Sequence, residues 1–195
     1  ADLPAGVYHF EPAEFALRRL RDGDFRARLA AAATEPAVAG LPLCLVLTGI
    51  PWRTTWKYGE RGYRHLFWDA GAIVANLLAV AAAVGWDARV LVGFVDQEIA
   101  GLLGLGEPEE YPLGLVTVAA PAVAEPTGSP LLEPISPRTR PLSRSPRSYP
   151  LVTAAQRAGE LPSAEAVRAW RNQASRLRAQ PATRSLPAGD AGQDR

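Results

Sequence analysis

Trp52-Arg-Thr-Thr-Trp-Lys-Tyr-Gly-Glu-Arg-Gly-Tyr-Arg64 packs four cations and four large aromatics into thirteen consecutive residues. It lies between two apolar segments of different kind. Upstream, Leu43-Cys-Leu-Val-Leu47 is a continuous apolar run of strand length, the pattern of a strand covered on both faces. Downstream, residues 70–84 carry no charge, and a helix is expected from Tyr63 to Val84 with Gly85 as its stop. Between them Thr54-Thr55, Gly59 and Gly62 disfavour a regular helix, so the stretch reads as a loop or irregular turns. A cationic, aromatic loop joining a buried strand to a buried helix suits an anionic or flat ligand.

Lys57 is the single lysine among the 21 cations, and every other one is arginine. Only a lysine can lose its proton near neutral pH when desolvated, so a primary amine is indicated at this position. The plainer alternative is one more solvated surface charge.

Working outward toward the N-terminus, Gly6-Val-Tyr-His-Phe10 alternates and reads as a strand, with His9 an exposed strand residue. Glu11-Pro12 is expected to open a helix contacting the core through Phe15, Leu17 and Leu20, and Asp24 to cap a second helix reaching about Ala33. Toward the C-terminus, residues 86–94 read as a strand, and Asp96 as the cap of a helix over 97–103 stopped by Gly104. A last strand is expected over 113–118. Strands and helices mix without strict alternation, which gives an α+β fold: a mixed sheet flanked by helices on both faces.

Composition limits the rest. Hydrophobic residues at 48% and charged residues at 21% fit a globular chain, and a net charge of +1 offers no general attraction to nucleic acid or a membrane surface. The charge-free run 70–86 reaches only the lower bound of a membrane span and contains Asn76, so no membrane role is expected. Cys44, the one cysteine, sits in an apolar run and reads as a small buried hydrophobe in a reducing, cytoplasmic setting. No metal-ligand spacing is present. The chain has no methionine and is expected to be part of a longer protein.

Residues 121–150 hold eight of the 18 prolines, interleaved with Ser and Arg. The expected organisation is therefore a domain over 1–120, a Pro-rich linker over 121–148, a helical interdomain segment over 149–178 with Ser163 as a cap, and a disordered tail over 179–195.

Taken together, Arg53 to Arg64, Asp69-Ala-Gly71, Asn76-Leu, Gly93-Phe-Val-Asp96 and Gly6-Val-Tyr-His-Phe-Glu-Pro12 resemble the SagB-type dehydrogenases of the nitroreductase superfamily. The resemblance covers about residues 4–119. Tyr149-Pro-Leu-Val to Trp170-Arg is similar to the segment joining two such domains in tandem members. The resemblance implies a nitroreductase-like fold that uses FMN, here incomplete at its N-terminus, in a homodimer or a tandem-domain pairing. It implies dehydrogenation of thiazoline or oxazoline rings in a ribosomally made precursor peptide, within a complex that includes a cyclodehydratase. Carried over by position, Lys57 and Tyr58 are the catalytic pair. Arg53, Arg61 and Arg64 are candidates to hold the flavin phosphate, to hold the peptide, or to stack on the neighbouring rings.

The chemistry of the residues agrees in kind. Aromatising an azoline ring needs a base for a carbon-bound proton and an acceptor for a hydride. Lys57, desolvated among Trp52 and Trp56, suits the base, while Tyr58 suits either a proton relay or an orienting ring. Two other readings stay open: a catalytically inactive scaffold or peptide-binding domain, and a general FMN reductase of nitro compounds or quinones. The family commonly has a glycine where this chain runs Val118-Ala119-Ala120, which favours the scaffold.

Overall fold

Three strands carry the body of the fold, and the last one made lies in the middle. In a computed structural model, which describes residues 3–106, 109–119, 128–135 and 142–179, β3 (Leu43–Gly49) and β4 (Asp87–Leu91) flank β5 (Tyr111–Ala119). β5 pairs antiparallel with both, from Leu43 opposite Val118 to Gly49 opposite Tyr111, and from Asp87 opposite Ala119 to Leu91 opposite Leu115. The fold class is α+β as expected; where a mixed sheet was anticipated, every pairing among the described residues is antiparallel. β5 is the strand covered on both faces, with Leu115 and Val116 fully buried. β3, expected to be so covered, is half-open, because it is an edge strand and Leu43 is exposed.

One face of the sheet carries the core. Cys44, Val46, Leu91 and Leu115 meet Phe25, Leu29 and Ala33 around α1 (Arg26–Ala32), Val38 in a 3-10 turn, and Ile99 and Leu102 on α4 (Asp96–Leu103). Strand alternation turns Val116 and Val118 to the opposite face. Against that face lies α3 (Gly62–Ala83), which connects onward to β4 and touches all three strands. Gly85, at φ +73, stops it where expected.

The first predicted helix is absent. Residues 16–22 instead form β2 (Ala16–Asp22), paired with β1 (Gly6–Glu11) as a hairpin separate from the main sheet. Phe15 adopts φ +49 at the turn and its ring meets Phe10 edge-on, centroids 5.5 Å apart. Leu17 and Leu20 are not a helix stripe; cross-strand pairing overrides the weak local propensity. β2 is also tied inward by Arg21, whose buried guanidinium donates to the carbonyls of Leu102 (2.7 Å), Gly101 (3.0 Å) and Glu133 (2.6 Å), closing the C-terminus of α4.

Of the stretch 121–148, expected to be a linker, residues 128–135 are seated on the domain, and 121–127 and 136–141 lie outside the described residues. Leu132 packs on the core, Pro130 lies against Gly23, and Ile135 lies against Gly104. The helices expected over 149–178 are α5 (Pro150–Gly159) and α6 (Ala164–Ala179), with Ser163 Oγ accepting the Ala166 amide as predicted. They dock through buried Val152 and Val167 and through Arg171. The Arg171 guanidinium donates to Ala33 O (2.6 Å), Gly93 O (2.9 Å), Thr34 O (3.3 Å) and Thr34 Oγ1 (2.9 Å), beside a ring edge of Trp170 on Gly93. The tail expected beyond residue 179 lies outside the described residues.

The outer side of α3 is open. Trp68, Ile73 and Val80 are 61%, 58% and 64% exposed. By length and composition alone, Trp52–Ala83 is long and apolar enough to cross a membrane. Its charge-free helical part, 70–83, rises only about 21 Å, short of a ~30 Å hydrocarbon core.

Candidate functional site

The stretch predicted to be a loop is helical. α2 (Trp52–Tyr58) and a 3-10 turn, Gly59–Arg61, lead into α3. The threonines that argued against a helix are accommodated by burial and bonding. Thr55 is buried, and the Thr54 hydroxyl lies 3.1 Å from Pro51 O and 3.0 Å from Gly62 O. The glycines make a corner rather than a loop. Gly59 takes φ +58 and ends α2, and Gly62 passes so close that an added Cβ would stand 2.8 Å from the Thr55 backbone.

This corner sets the candidate side chains on one exposed surface. Tyr58, the last residue of α2, is 36% exposed. Its ring stacks on His65 of α3 with centroids 4.3 Å apart and planes 5° from parallel, and His65 in turn meets Trp68 at 4.9 Å and 54°. Lys57 Nζ stands 5.3 Å, and Arg61 Cζ 5.6 Å, from the centre of the Tyr58 ring, within cation–π range. Thus Lys57, Tyr58 and Arg61 are brought together. Arg53 and Arg64 sit one turn to either side on α2 and α3, exposed, and neither guanidinium stands over a ring among the described residues. None of the four cations forms an ion pair among the described residues.

Lys57 is exposed on the outer face of α2, so the expected desolvation by Trp52 and Trp56 does not occur within this chain. The reason is the helix itself. Trp56 lies 62% exposed, its indole N–H donating to Arg53 O, and it does not fold over the amine. His65 was missed by sequence reasoning: with this stretch read as a loop, no helical spacing connects it to Tyr58.

Cations without an ion pair beside aromatic rings suit an anionic or flat ligand. Among the described residues the corner is a face and not an enclosure. Two cavities, of about 310 and 120 Å³, lie elsewhere. The larger is lined by Asp96, Glu110, Tyr111 and Glu160 among others. There Asp96 does not cap α4 with its side chain; the carboxylate accepts the Leu161 amide at 2.8 Å. Burial pushes the Asp96 carboxyl up to about 6, helped by nearby Glu160 and opposed by its amide bonds. No group of His, Cys, Asp and Glu among the described residues could hold a metal ion.

Similarity to known proteins agrees with this architecture. The profile of the nitroreductase family matches residues 8–120. A Methanocaldococcus jannaschii protein, named provisionally as a nitroreductase, is 32% identical over 114 residues, 58% of this chain and 56% of that protein. The chain therefore spans about half the length of the curated relative it matches. A provisionally named nitroreductase of Anabaena variabilis superposes with a TM-score of 0.57 at 22% identity, over 66% of this chain and 30% of that one. The Escherichia coli microcin synthetase complex McbBCD, solved with truncated pro-MccB17 bound, gives 0.56 at 24% identity, over 63% and 48%. A Ralstonia eutropha protein, also provisionally a nitroreductase, gives 0.52 at 25%, over 63% and 56%.

Proposed function

The chain belongs to the nitroreductase family, and from that premise we propose that it is the FMN-dependent oxidoreductase part of a SagB-type enzyme that dehydrogenates azoline rings in a precursor peptide. The observation that carries this reading is the corner where Lys57, Tyr58 and Arg61 meet on one exposed face with unpaired cations around them. The likeness to a synthetase complex solved with its precursor bound supports a peptide as the substrate and a multi-protein complex as the setting.

Arg61, with Arg53 and Arg64, would hold the cofactor phosphate, and FMN bound there would supply the acceptor for the hydride that leaves the ring. The Lys57 amine, in its neutral form, takes the carbon-bound proton, and the Tyr58 hydroxyl orients the ring or passes that proton on. The substrate loses one proton and one hydride, and the azoline becomes an azole. The neutral amine requires that water be excluded from the face carrying Lys57. In the whole protein a second subunit or a tandem domain covers this face together with the open side of α3, whose exposed apolar area is of the kind that marks an interface.

The test is turnover of an azoline peptide by the whole protein with its cyclodehydratase, read as loss of two hydrogens by mass. Lys57→Ala and Tyr58→Phe each lower turnover about 10²-fold or more, with flavin content unchanged. Lys57→Arg does not rescue, because guanidinium stays charged. Full activity in both Lys57→Ala and Tyr58→Phe would favour the scaffold reading, which draws on neither cavity being lined by either residue.

A further inference from the structure

We propose that His65 is a positioning residue for Tyr58, an inference that rests on the reading of Tyr58 as a reacting group. Tyr58 needs such a support. It ends α2, it is followed by Gly59 in a positive-φ conformation, and its hydroxyl makes no hydrogen bond among the described residues. Nothing local to α2 therefore selects one orientation of a partly exposed ring that has free rotation about two side-chain bonds.

The selection comes from the next helix. The His65 imidazole lies flat on the Tyr58 ring at 4.3 Å and 5°, so the two planes define each other. The imidazole is held on two further sides. Its Nδ1 stands 3.3 Å from Arg61 O, within reach of a hydrogen bond when that nitrogen carries the proton, and its ring lies against Trp68, centroids 4.9 Å apart. The close passage of Gly62 on Thr55 fixes the distance between the two helices that carry the pair. Lys57 and Arg61 approach the Tyr58 ring as well, but through long, rotatable side chains at more than 5 Å. His65 is the planar partner and the one anchored on other sides, so it sets the direction in which the phenol points.

A group that acts by orientation changes turnover more than binding, and a flat ring of similar size can replace it. In the whole protein, His65→Ala is expected to lower kcat about tenfold with KM nearly unchanged. His65→Phe, which keeps a stacking ring, recovers most of the loss. An independent readout is the NMR position of the Tyr58 ring protons in ring-labelled protein without substrate, identified by their disappearance in Tyr58→Phe. The ring-current displacement is lost in His65→Ala and regained in His65→Phe.

Unchanged kcat in His65→Ala, while Tyr58→Phe is impaired, overturns the positioning role and leaves the catalytic reading standing. A fall in kcat with the Tyr58 ring signals unmoved also overturns it, since His65 would then act by some other route. Normal turnover in Tyr58→Phe overturns the reading on which this inference rests, whatever His65 does.

Discussion

At the scale of single residues, exposure decides more than identity. Lys57 stands out in the sequence as the one lysine, yet it stands exposed on α2 with the Tyr58 ring as its neighbour. Asp96 stands out less, and its surroundings do more. Its carboxyl is pushed up to about 6 by burial, whereas an unfolded aspartate titrates near 4. The folded chain thus binds this proton more tightly, so its contribution to stability is present below about pH 4 and lost as pH rises through about 6. Asp96→Asn keeps an oxygen to accept the Leu161 amide without the charge. Its melting temperature is expected to exceed that of the wild type at pH 7.5, with the gain vanishing by pH 4. Equal melting temperatures at both values would mean that Asp96 is not penalised by its burial. Cys44 shows the same rule with no reaction attached: burial pushes its thiol up to about 11, which leaves the inert small hydrophobe read from the sequence.

Among the elements, those with a strong single period were legible and those set by distant contacts were not. β3, α3, β4, α4 and β5 stand where apolar runs and stop residues placed them, down to Gly85 and Gly104 at positive φ. β2 was misread because Phe15, Leu17 and Leu20 carry no clear period, and its pairing with β1 is what makes it a strand. α2 was misread because Thr54-Thr55 and two glycines look like a loop until the packing of α2 on α3 is known. The identities of Lys57, Tyr58 and Arg61 were legible, their grouping only through a family resemblance, and His65 not at all. The corner yields a paired expectation. Glycine inside a helix normally costs roughly 0.5–1 kcal/mol relative to alanine. Gly71→Ala, with nothing within 4 Å of the new methyl, should stabilise by about that amount. Gly62→Ala, whose methyl would stand 2.8 Å from the Thr55 backbone, should destabilise instead, by about 1–3 kcal/mol. Denaturant melts of the two variants check the pair, and a stabilised Gly62→Ala would mean that α2 and α3 are not in close contact.

At the scale of the whole molecule, the open side of α3 is the feature that the other described residues leave uncovered. Ile73 and Val80 lie on it, far exposed for residues of their kind. If this side is covered by a second subunit or a tandem domain as proposed, Val80→Asp should weaken that association at least about tenfold, since it would bury an unpaired charge. Sedimentation of the whole protein, or protease release of its second domain, reads the effect. Wild-type association in Val80→Asp would place the contact elsewhere. The order of the strands has a different consequence, one of time. β5 pairs residue 118 with residue 43 and residue 119 with residue 87, so both outer strands are synthesised before the strand that joins them. Until residue 119 has left the ribosome, β3 and β4 lack the strand that each pairs with among the described residues, and α3 has only an unfinished surface to lie on. Closing the sheet is thus a late, long-range event. A chain that stops before β5 would carry open strand edges and a long apolar helix together, a combination that invites aggregation and chaperone capture.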